Sequence, residues 1–437
     1  MSFTTIGIWA ILLLVLLLLS GLPIAVDFLL IGIGGTSLLI GLDSPLALLG
    51  DPLYSSISNP TITVIPLFAL MGAFATGGGF AKRAYSAVHI IFARLPGSLA
   101  IATSIGSAFF AAISGSTLAS VAVFGKLAYP EMKRANYDKS FALGSIASSG
   151  SFACMIPPSG MFILFAIFTD QSVGKLFMGG VIPGLVTAGV YVFSMYLRSR
   201  LNPNLAPMAD FEKTVTLRKR IVAVKGLWEI SLIAFIVIGG IYSGILTPTG
   251  AGAAGTLGAF LIGFGRGPLR KFIPNQLALR ETANISAMLF FMIITALFFS
   301  RFLALTRIPM DLDSFLESWE VNRYIILIAI LALWFVMGML IVQAAVFALT
   351  LPILFPVVVN LGFDPIWFCV VAMKLNEIAG VTPPVGLNAF ALSGATGDNT
   401  PVEQIYKGII PFILCDVVVL AFLFMFPAMA TWLPGNM

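Results

Sequence analysis

Two stretches of the chain carry hydroxyl side chains, glycines and paired prolines in an arrangement that could bind ions. The first contains the turn Ser114-Gly115-Ser116 and the dipeptide Pro157-Pro158, and the second contains Pro383-Pro384. A Pro-Pro pair removes two N–H donors, so the carbonyl groups about four residues earlier lose their helical partners. These carbonyls belong to Ala153, Cys154, Ala379 and Gly380. Carbonyl and hydroxyl oxygens suit a hard monovalent cation, and helix N-termini suit an anion.

A simpler interpretation of these stretches is a tight glycine turn with close helix packing and two plain proline kinks. The spacing argues against it, because Pro383 follows Pro157 by 226 residues and the surrounding residues obey the same shift. The further pairs are Pro130 and Pro356, Asp138 and Asp364, and Gly160 and Gly386. Two interrupted apolar segments at matching places in two halves indicate the substrate site of a secondary transporter.

Several polar residues lie close to the second proline pair, within apolar segments. Lys374, Asn376 and Glu377 are costly in lipid, so they must face protein or water. Lys374 and Glu377 could form a structural ion pair, or Lys374 could help to hold an anionic substrate. Asn388 begins a half-helix and could donate to a carboxylate or sulfonate. Ser159 and Gly386, which flank the breaks, complete the predicted substrate-binding set with Asn388 and Lys374.

The composition places all of these residues in a membrane. Of 437 residues, 59% are hydrophobic and only 10% are charged, whereas soluble domains carry about 25% charged residues. The net charge of +5 is attributed to cytoplasmic loops rather than to nucleic-acid binding. Neither a catalytic nucleophile motif nor a P-loop is present, so neither an enzyme nor an ATP-driven pump is expected.

The apolar segments predict an all-α polytopic membrane protein. Several predicted helices are too short to cross about 30 Å of hydrocarbon, and the short ones occur in pairs. A pair joined by small residues predicts a re-entrant hairpin, and a pair joined by Pro-Pro predicts a helix broken midway. The predicted helices lie near 5–21, 24–41, 62–79, 98–112, 117–129, 141–155, 160–169, 176–197, 228–246, 250–264, 282–303, 324–340, 344–359, 366–380, 385–394 and 409–432.

Charge sets the orientation of these helices. Both flanks of the first hairpin, 98–129, are basic and are therefore expected in the cytoplasm. Counting onward places the basic linker 198–227 inside, and the acid-bearing loops 42–60 and 304–323 outside. The second hairpin, 324–359, then enters from the outside. The two repeats are therefore predicted to be inverted, and the N-terminus to be external.

These features divide the chain into scaffold helices and two transport units. Each transport unit combines one hairpin with one broken helix. The predicted parts are N-terminal scaffold helices 1–97, the first transport unit 98–175, scaffold helices with a cytoplasmic linker 176–323, the second transport unit 324–395, and a C-terminal helix 396–437.

Four blocks of residues resemble one known family, the large membrane subunit of the tripartite ATP-independent periplasmic (TRAP) transporters. The blocks are 109–116, 130–134, 156–159 and 377–388, and the resemblance covers essentially the whole chain. It implies a sodium-driven importer of small organic anions (carboxylates, sugar acids or sulfonates) that belongs to the elevator-type ion transporters. It also implies a bacterial cytoplasmic (inner) membrane location. The expected partners are a periplasmic substrate-binding protein, a separate small four-helix membrane subunit and membrane lipid.

The resemblance also implies two sodium (Na+) sites, each between a hairpin tip and a Pro-Pro break. The first would use Ser114, Ser116, Ile156 and Pro158, and the second Gly380, Thr382 and Pro384. The second hairpin tip departs from the family. Relatives often carry an acidic residue and a proline where this chain has Val342 and Gln343. This departure leaves open whether the second tip supplies any side-chain ligand.

Three other functions remain open. A standalone sodium/dicarboxylate symporter of related fold would need no dedicated partner proteins. A channel would conduct without coupling to a sodium gradient. A membrane enzyme would need a cluster of catalytic residues, which the sequence does not show. The sequence does not specify which acid is carried or how many sodium ions accompany it.

Overall fold

Backbone polar groups must be paired within hydrocarbon, so a chain this apolar has to form helices or a closed barrel where it crosses a membrane. A computed structural model of the protein describes residues 2–208, 215–308, 310–311, 322–398 and 400–437. Those residues form helices and no strand. Eight of their helical segments are long and apolar enough to cross a membrane. The prediction of an all-α polytopic membrane protein is therefore confirmed.

The α-helices are numbered here in chain order. They are α1 (Phe3–Leu19), α2 (Ile24–Ile40), α3 (Ser44–Ser58), α4 (Val64–Gly77), α5 (Phe80–Phe92), α6 (Ser98–Ser114), α7 (Thr117–Arg134), α8 (Lys139–Gly150), α9 (Phe152–Met155), α10 (Gly160–Thr169), α11 (Val173–Leu201), α12 (Leu217–Val224), α13 (Trp228–Ala234), α14 (Gly240–Tyr242), α15 (Pro248–Gly265), α16 (Phe272–Leu305), α17 (Arg323–Leu340), α18 (Gln343–Asn360), α19 (Pro365–Val381), α20 (Leu387–Thr396), α21 (Val402–Met425) and α22 (Ala428–Gly435). A π-helical turn, Phe235–Gly239, joins α13 to α14.

Both predicted hairpins and both broken helices are present. Helices α6 and α7 form the first hairpin, and α17 and α18 form the second. The first broken helix runs from α8 through α9 to α10, with Pro157-Pro158 at its break. The second runs from α19 to α20, with Pro383-Pro384 at its break. Both Pro-Pro bonds are cis.

The 226-residue shift extends well beyond these units. It relates α1 to α13–α14, α2 to α15, the pair α3–α4 to the single long helix α16, and α11 to α21. The hydrogen bond from Ser151 Oγ to Glu377 Oε1, 3.0 Å long, joins residues that are 226 positions apart. Equivalent residues of two copies can touch only near the axis that relates the copies. The pseudo-two-fold axis therefore passes between the two broken helices.

The predicted loop 42–60 is wrong, because most of it forms α3. Pro52, Gly50 and the polar residues of this stretch hid the helix from the sequence analysis. Helix α3 packs against α2 and α16. The ion pair between Asp51 and Arg301, 2.6 Å long, also attaches it to α16. Its repeat equivalent is the first part of α16, which begins at Phe272 rather than near 282.

The C-terminal helix also differs from its prediction. The stretch near 409–432 was expected to be one helix, but α21 begins earlier, at Val402, and ends at Met425. Non-helical backbone at Phe426 (φ −129°, ψ 73°), followed by Pro427, separates it from the short α22. A proline lacks the N–H that would continue the helix, and it restricts the residue before it.

Contacts between distant residues agree with the predicted sidedness. Glu229 bridges Arg83 and Arg266 at 2.6 and 2.7 Å, and all three lie at predicted cytoplasmic ends. Lys133 pairs with Asp398 at 2.6 Å at the same side. This ammonium lowers the pKa of the Asp398 carboxyl, and Asp398 raises the pKa of Lys133. The predicted outer loop 304–323 contains three acids, Asp313, Glu317 and Glu320, that lie outside the described residues.

Helices α11 and α21 pack tightly on the broken helices. Gly144 of α8 faces Gly408 of α21 so closely that a Cβ atom on either would overlap the other chain segment. On α11, a Cβ at residue 184 would lie 2.8 Å from the Ile156 side chain, and one at residue 180 would meet the Met155 carbonyl. Small residues allow such close approach between membrane helices. Both helices therefore pack directly on the broken helices, whereas the predicted division placed 176–323 with the scaffold and 396–437 outside the transport units.

Candidate functional site

The first hairpin tip is a glycine turn between two helix ends. Helix α6 ends at Ser114, and Gly115 caps it with a φ of 59°, which favours glycine. Ser116 then caps α7, and its Oγ accepts from the Ala119 N–H at 3.3 Å. The tip rests on α4, where a Cβ at residue 72 would lie 2.8 Å from the Ser114 carbonyl oxygen.

The first Pro-Pro break lies directly against this tip. A Cβ at residue 115 would lie 2.8 Å from the Pro158 carbonyl oxygen, so Gly115 allows the close contact. Ile156, Pro157 and Pro158 are all buried. Ser159 caps α10 and accepts from the Met161 N–H at 3.3 Å. The structure thus brings the first predicted cation set to one place, around Gly115.

The second hairpin tip is built differently. Helix α17 ends at Leu340, and extended backbone at Ile341 and Val342 leads into α18 without any side-chain cap. The side chain of Gln343, the first residue of α18, reaches both broken helices. Its amide nitrogen Nε2 donates to the Asn376 carbonyl, and its Oε1 accepts from Cys154 Sγ at 3.3 Å.

The second Pro-Pro break is more exposed than the first. Pro383 and Pro384 are exposed, and Gly386 turns the chain into α20 with a φ of 51°. The Tyr406 hydroxyl, on α21, approaches the carbonyl oxygens of Pro384 at 3.1 Å and of Val385 at 2.8 Å. The break is therefore held by a neighbouring helix rather than enclosed by its own hairpin tip.

A cavity of about 300 Å³ lies between the two tips, the breaks and the helices α4 and α16. The first residues of four helices line it: Thr117 of α7, Gly160 of α10, Gln343 of α18, and Leu387 with Asn388 of α20. The N-terminus of a helix carries partial positive charge and unpaired N–H groups. Four helix N-termini therefore meet at one cavity between the two tips.

Charged side chains contribute little to this cavity. Among the described lining residues, no lysine or arginine occurs, and Glu281 of α16 is the one carboxylate. The predicted residues that line the cavity are Ser114, Ser116, Gly380 and Asn388, of which Asn388 is 4% exposed. Any anion bound here would depend on helix ends and amide groups rather than on a cationic side chain.

Lys374 lies away from the cavity lining. It is fully buried, and its Nζ contacts Asp416 Oδ1 at 2.6 Å, Glu377 Oε2 at 2.9 Å and Thr187 Oγ1 at 3.3 Å. The structure therefore contains the ion pair that was one of the two interpretations of Lys374. Asp416, on α21, also accepts from the Tyr191 hydroxyl at 2.7 Å.

Two predicted site residues act on the backbone in this structure. Ser159 caps α10 and is fully buried, and Gly386 supplies the turn into α20. One predicted free carbonyl also has a partner, because the Ala379 oxygen accepts from the Thr382 N–H at 3.2 Å. The sequence analysis missed the bridging contacts of Gln343, the contacts of Tyr406 with the second break, and the position of Glu281 in the cavity lining. Gln343 is a polar residue within an apolar run, whereas Tyr406 and Glu281 lie among other polar residues and give no such signal.

Comparisons with known proteins agree with this arrangement. The family model "Tripartite ATP-independent periplasmic transporter, DctM component" matches residues 11–429. The chain is 33% identical over 385 residues to a C4-dicarboxylate TRAP transporter large permease protein of Pseudomonas aeruginosa, covering 88% of each protein. It is 31% identical over 431 residues to an isethionate TRAP transporter permease of Oleidesulfovibrio alaskensis, covering 96% of this chain and 65% of that protein.

A solved structure supports the fold alone. The Alcanivorax borkumensis YdaH transporter superposes with a TM-score of 0.65 at 13% sequence identity, covering 92% of this chain and 97% of that one. The family match spans the hairpins, both breaks and the surrounding helices. The chain is therefore a multi-pass membrane protein that belongs to the DctM family, the large permease component of the tripartite ATP-independent periplasmic transporters.

Proposed function

We propose that this chain imports a small organic anion together with sodium across the bacterial cytoplasmic membrane. The observation that carries the proposal is the convergence of four helix N-termini on one cavity between two hairpin tips. The names of the relatives support an organic acid as the substrate, since one carries a C4-dicarboxylate and another isethionate. Carboxylates, sugar acids and sulfonates all present oxygen atoms that N–H groups can bind.

The anionic group of the substrate binds nearer to the second repeat. In the first repeat, Ser116 and Ser159 occupy the N-termini of α7 and α10 with their own hydroxyl oxygens. In the second repeat, Val342 and Gly386 leave the ends of α18 and α20 without side-chain caps. These uncapped ends keep N–H groups free for a ligand. Asn388 adds an amide donor at the same place.

A sodium ion binds on the opposite side of the cavity, between the first tip and the first break. The carbonyl and hydroxyl oxygens of Ser114, Ser116, Ile156 and Pro158 supply its ligands. The C-terminal end of α6 adds partial negative charge there. Sodium at this place would order the first tip, so cation binding and anion binding would strengthen each other by the same factor.

Movement of a packed body past a scaffold would carry the cavity across the membrane. The body that carries the tips and breaks also includes α11 and α21, by the glycine contacts described above. Helices α4 and α16 belong to the scaffold that faces the tips. The cavity reaches Thr76 and Glu281, near the basic ends of these helices, so the arrangement is the one open toward the cytoplasm.

The proposed partners are a periplasmic binding protein, which would deliver the substrate, and a small membrane subunit, which would pack against the scaffold. The lipid bilayer surrounds both. A standalone sodium/dicarboxylate symporter of related fold is the second candidate, because the proposed anion and sodium ligands all belong to this one chain. Uptake by the chain alone, without a binding protein, would favour that candidate.

Uptake into proteoliposomes tests the proposed function. The chain and its small subunit are reconstituted, the binding protein is added outside, and uptake of labelled succinate and isethionate is measured with and without an inward sodium gradient. We expect uptake of at least one acid, dependent on both the gradient and the binding protein. Uptake that continues after the gradient has collapsed would indicate a channel and would contradict sodium coupling.

Asn388→Ala is the matched variant in this assay. Loss of one hydrogen bond to a charged group costs about 1.5–3 kcal/mol, so the apparent affinity should fall about 10- to 150-fold. Asn284→Ala is the control, because Asn284 is exposed on α16 and does not line the cavity. Equal effects of the two substitutions would remove Asn388 from the substrate site.

A further inference from the structure

We propose that the Gln343 side chain replaces the second sodium ion in this chain, so that one cation rather than two accompanies the substrate. The inference rests on the proposed function, and it concerns the set Gly380, Thr382 and Pro384. The resemblance to the family implies a second cation there. The geometry around Gly380 disagrees with that implication.

The amide nitrogen of Gln343 lies where a cation would have to approach the end of α19. Its Nε2 donates to the Asn376 carbonyl, in the last turns of that helix. A Cβ atom on residue 380 would collide with the same nitrogen, so the amide lies over the Gly380 backbone. Cys154 Sγ donates to Gln343 Oε1 at 3.3 Å and fixes the orientation of the amide.

The amide of Gln343 can stabilise the partial negative charge at the end of α19, as a bound cation would. The C-terminal end of a helix carries partial negative charge on its unpaired carbonyl groups. An amide N–H donor places partial positive charge beside that end without the cost of stripping water from an ion. The side chain is covalently attached, so a cation that approached this end of α19 would have to displace it.

Two backbone carbonyl groups at this break, and the Thr382 side chain, also have hydrogen-bond partners. Pro384 lies within reach of the Tyr406 hydroxyl at 3.1 Å. The Thr382 hydroxyl donates to the Ile378 carbonyl at 2.6 Å, and the Ala379 carbonyl accepts from the Thr382 N–H. Pro383 and Pro384 are exposed, so this break lacks the enclosure that would separate an ion from water.

The first repeat lacks the corresponding obstacle. The 226-residue shift equates Gln343 with Thr117, whose short side chain carries no amide. Ser114 and Ser116 place hydroxyl groups at the first tip, and the Pro158 carbonyl oxygen faces Gly115. The first break is buried throughout. The two repeats have therefore diverged where a hairpin tip meets a Pro-Pro break. The first repeat has oxygen ligands there, and the second has the amide donor of Gln343.

Direct counting of bound sodium tests the inference. The full chain and its small subunit are purified into nanodiscs, and saturation binding of radioactive sodium is measured per molecule of chain. We expect one ion for the wild type. We expect two for Gln343→Ala, and tighter binding of the second ion when Tyr406→Phe is added to free the Pro384 carbonyl. Gln276→Ala, at an exposed glutamine of α16, should leave the number at one.

Each other outcome has a separate meaning. Two ions bound to the wild type would overturn the inference and leave the proposed function intact. One ion bound to both Gln343→Ala and the double variant would also overturn it, because the amide would then not be what excludes the ion. No sodium bound to the wild type would overturn the proposed sodium coupling itself. A melting curve for each variant verifies that it is folded.

Discussion

At the scale of single residues, the least expected feature is a lysine buried between two carboxylates. Lys374 lies between Glu377 and Asp416 on different helices, and all three are fully buried. Removing water from such charged groups costs free energy. Their mutual contacts offset this desolvation free energy only while every partner is present. The lysine therefore links α19 to α21 and is not free to bind a substrate.

Lys374→Met should destabilise the protein by about 3–5 kcal/mol, because it leaves two buried carboxylates without a cation. Thermal unfolding in detergent measures the change. Lys133→Met is the matched control, since Lys133 pairs with Asp398 at an exposed position where water already solvates both groups. A Lys374→Met protein with a normal Tm but weakened substrate binding would instead assign the lysine to the substrate site.

At the scale of elements, the hairpins and breaks could be predicted because their signals are local. Gly115 and the Pro-Pro pairs terminate helices wherever they occur, and charge decided which hairpin enters from which side. Contacts between distant elements carry no such local signal. The pairing of Lys374 with Asp416 and the reach of Gln343 to Asn376 depend on packing across the fold. Helix α3 was missed because its packing against α2 and α16 outweighs its poor local pattern.

The seating of the first hairpin tip on α4 depends on one glycine. A Cβ on residue 72 would lie 2.8 Å from the Ser114 carbonyl oxygen and 2.9 Å from its Cα, and backbone atoms cannot turn aside. Gly72→Ala should cost about 1–3 kcal/mol in this conformation, as overpacking does in cores. The proportion of inward-open molecules should therefore fall roughly 5- to 150-fold relative to other conformations.

The proportion of inward-open molecules is measured by the rate at which a thiol reagent modifies a cysteine introduced into the cavity lining. Gly34→Ala serves as the control, because a Cβ at residue 34 would meet no atom within 4 Å. If Gly72→Ala leaves both accessibility and uptake unchanged, the tip does not bear on α4 during transport.

At the scale of the whole molecule, the cavity uses the two repeats unequally. It is lined by residues between 65 and 76 of α4 but by residues between 281 and 289 of α16. The 226-residue shift would pair the first range with 291–302 and the second with 55–63. Among the described residues, neither of those ranges lines the cavity. Inverted repeats exchange their roles when a transporter opens to the other side.

A pair of cysteine variants tests this exchange. Ala69 lines the cavity, and its repeat equivalent Thr295 is buried. Ala69→Cys should react with an impermeant maleimide from the cytoplasmic side. Thr295→Cys should react from the periplasmic side when the loaded binding protein is present. Active uptake in which Thr295→Cys never reacts from outside would rule out the exchange of roles.

The contact between Ser151 and Glu377 has a consequence for the history of the chain. If both halves descend from one duplicated segment, two identical residues met at this point in the ancestral protein. They were either two serines or two glutamates. A glutamate opposite its own copy would repel itself, so a substitution on one side resolved the conflict. That substitution made the halves non-interchangeable at their shared axis. The inward and outward forms of the apoprotein therefore need not have equal energy, and one of them can be favoured even without substrate or sodium.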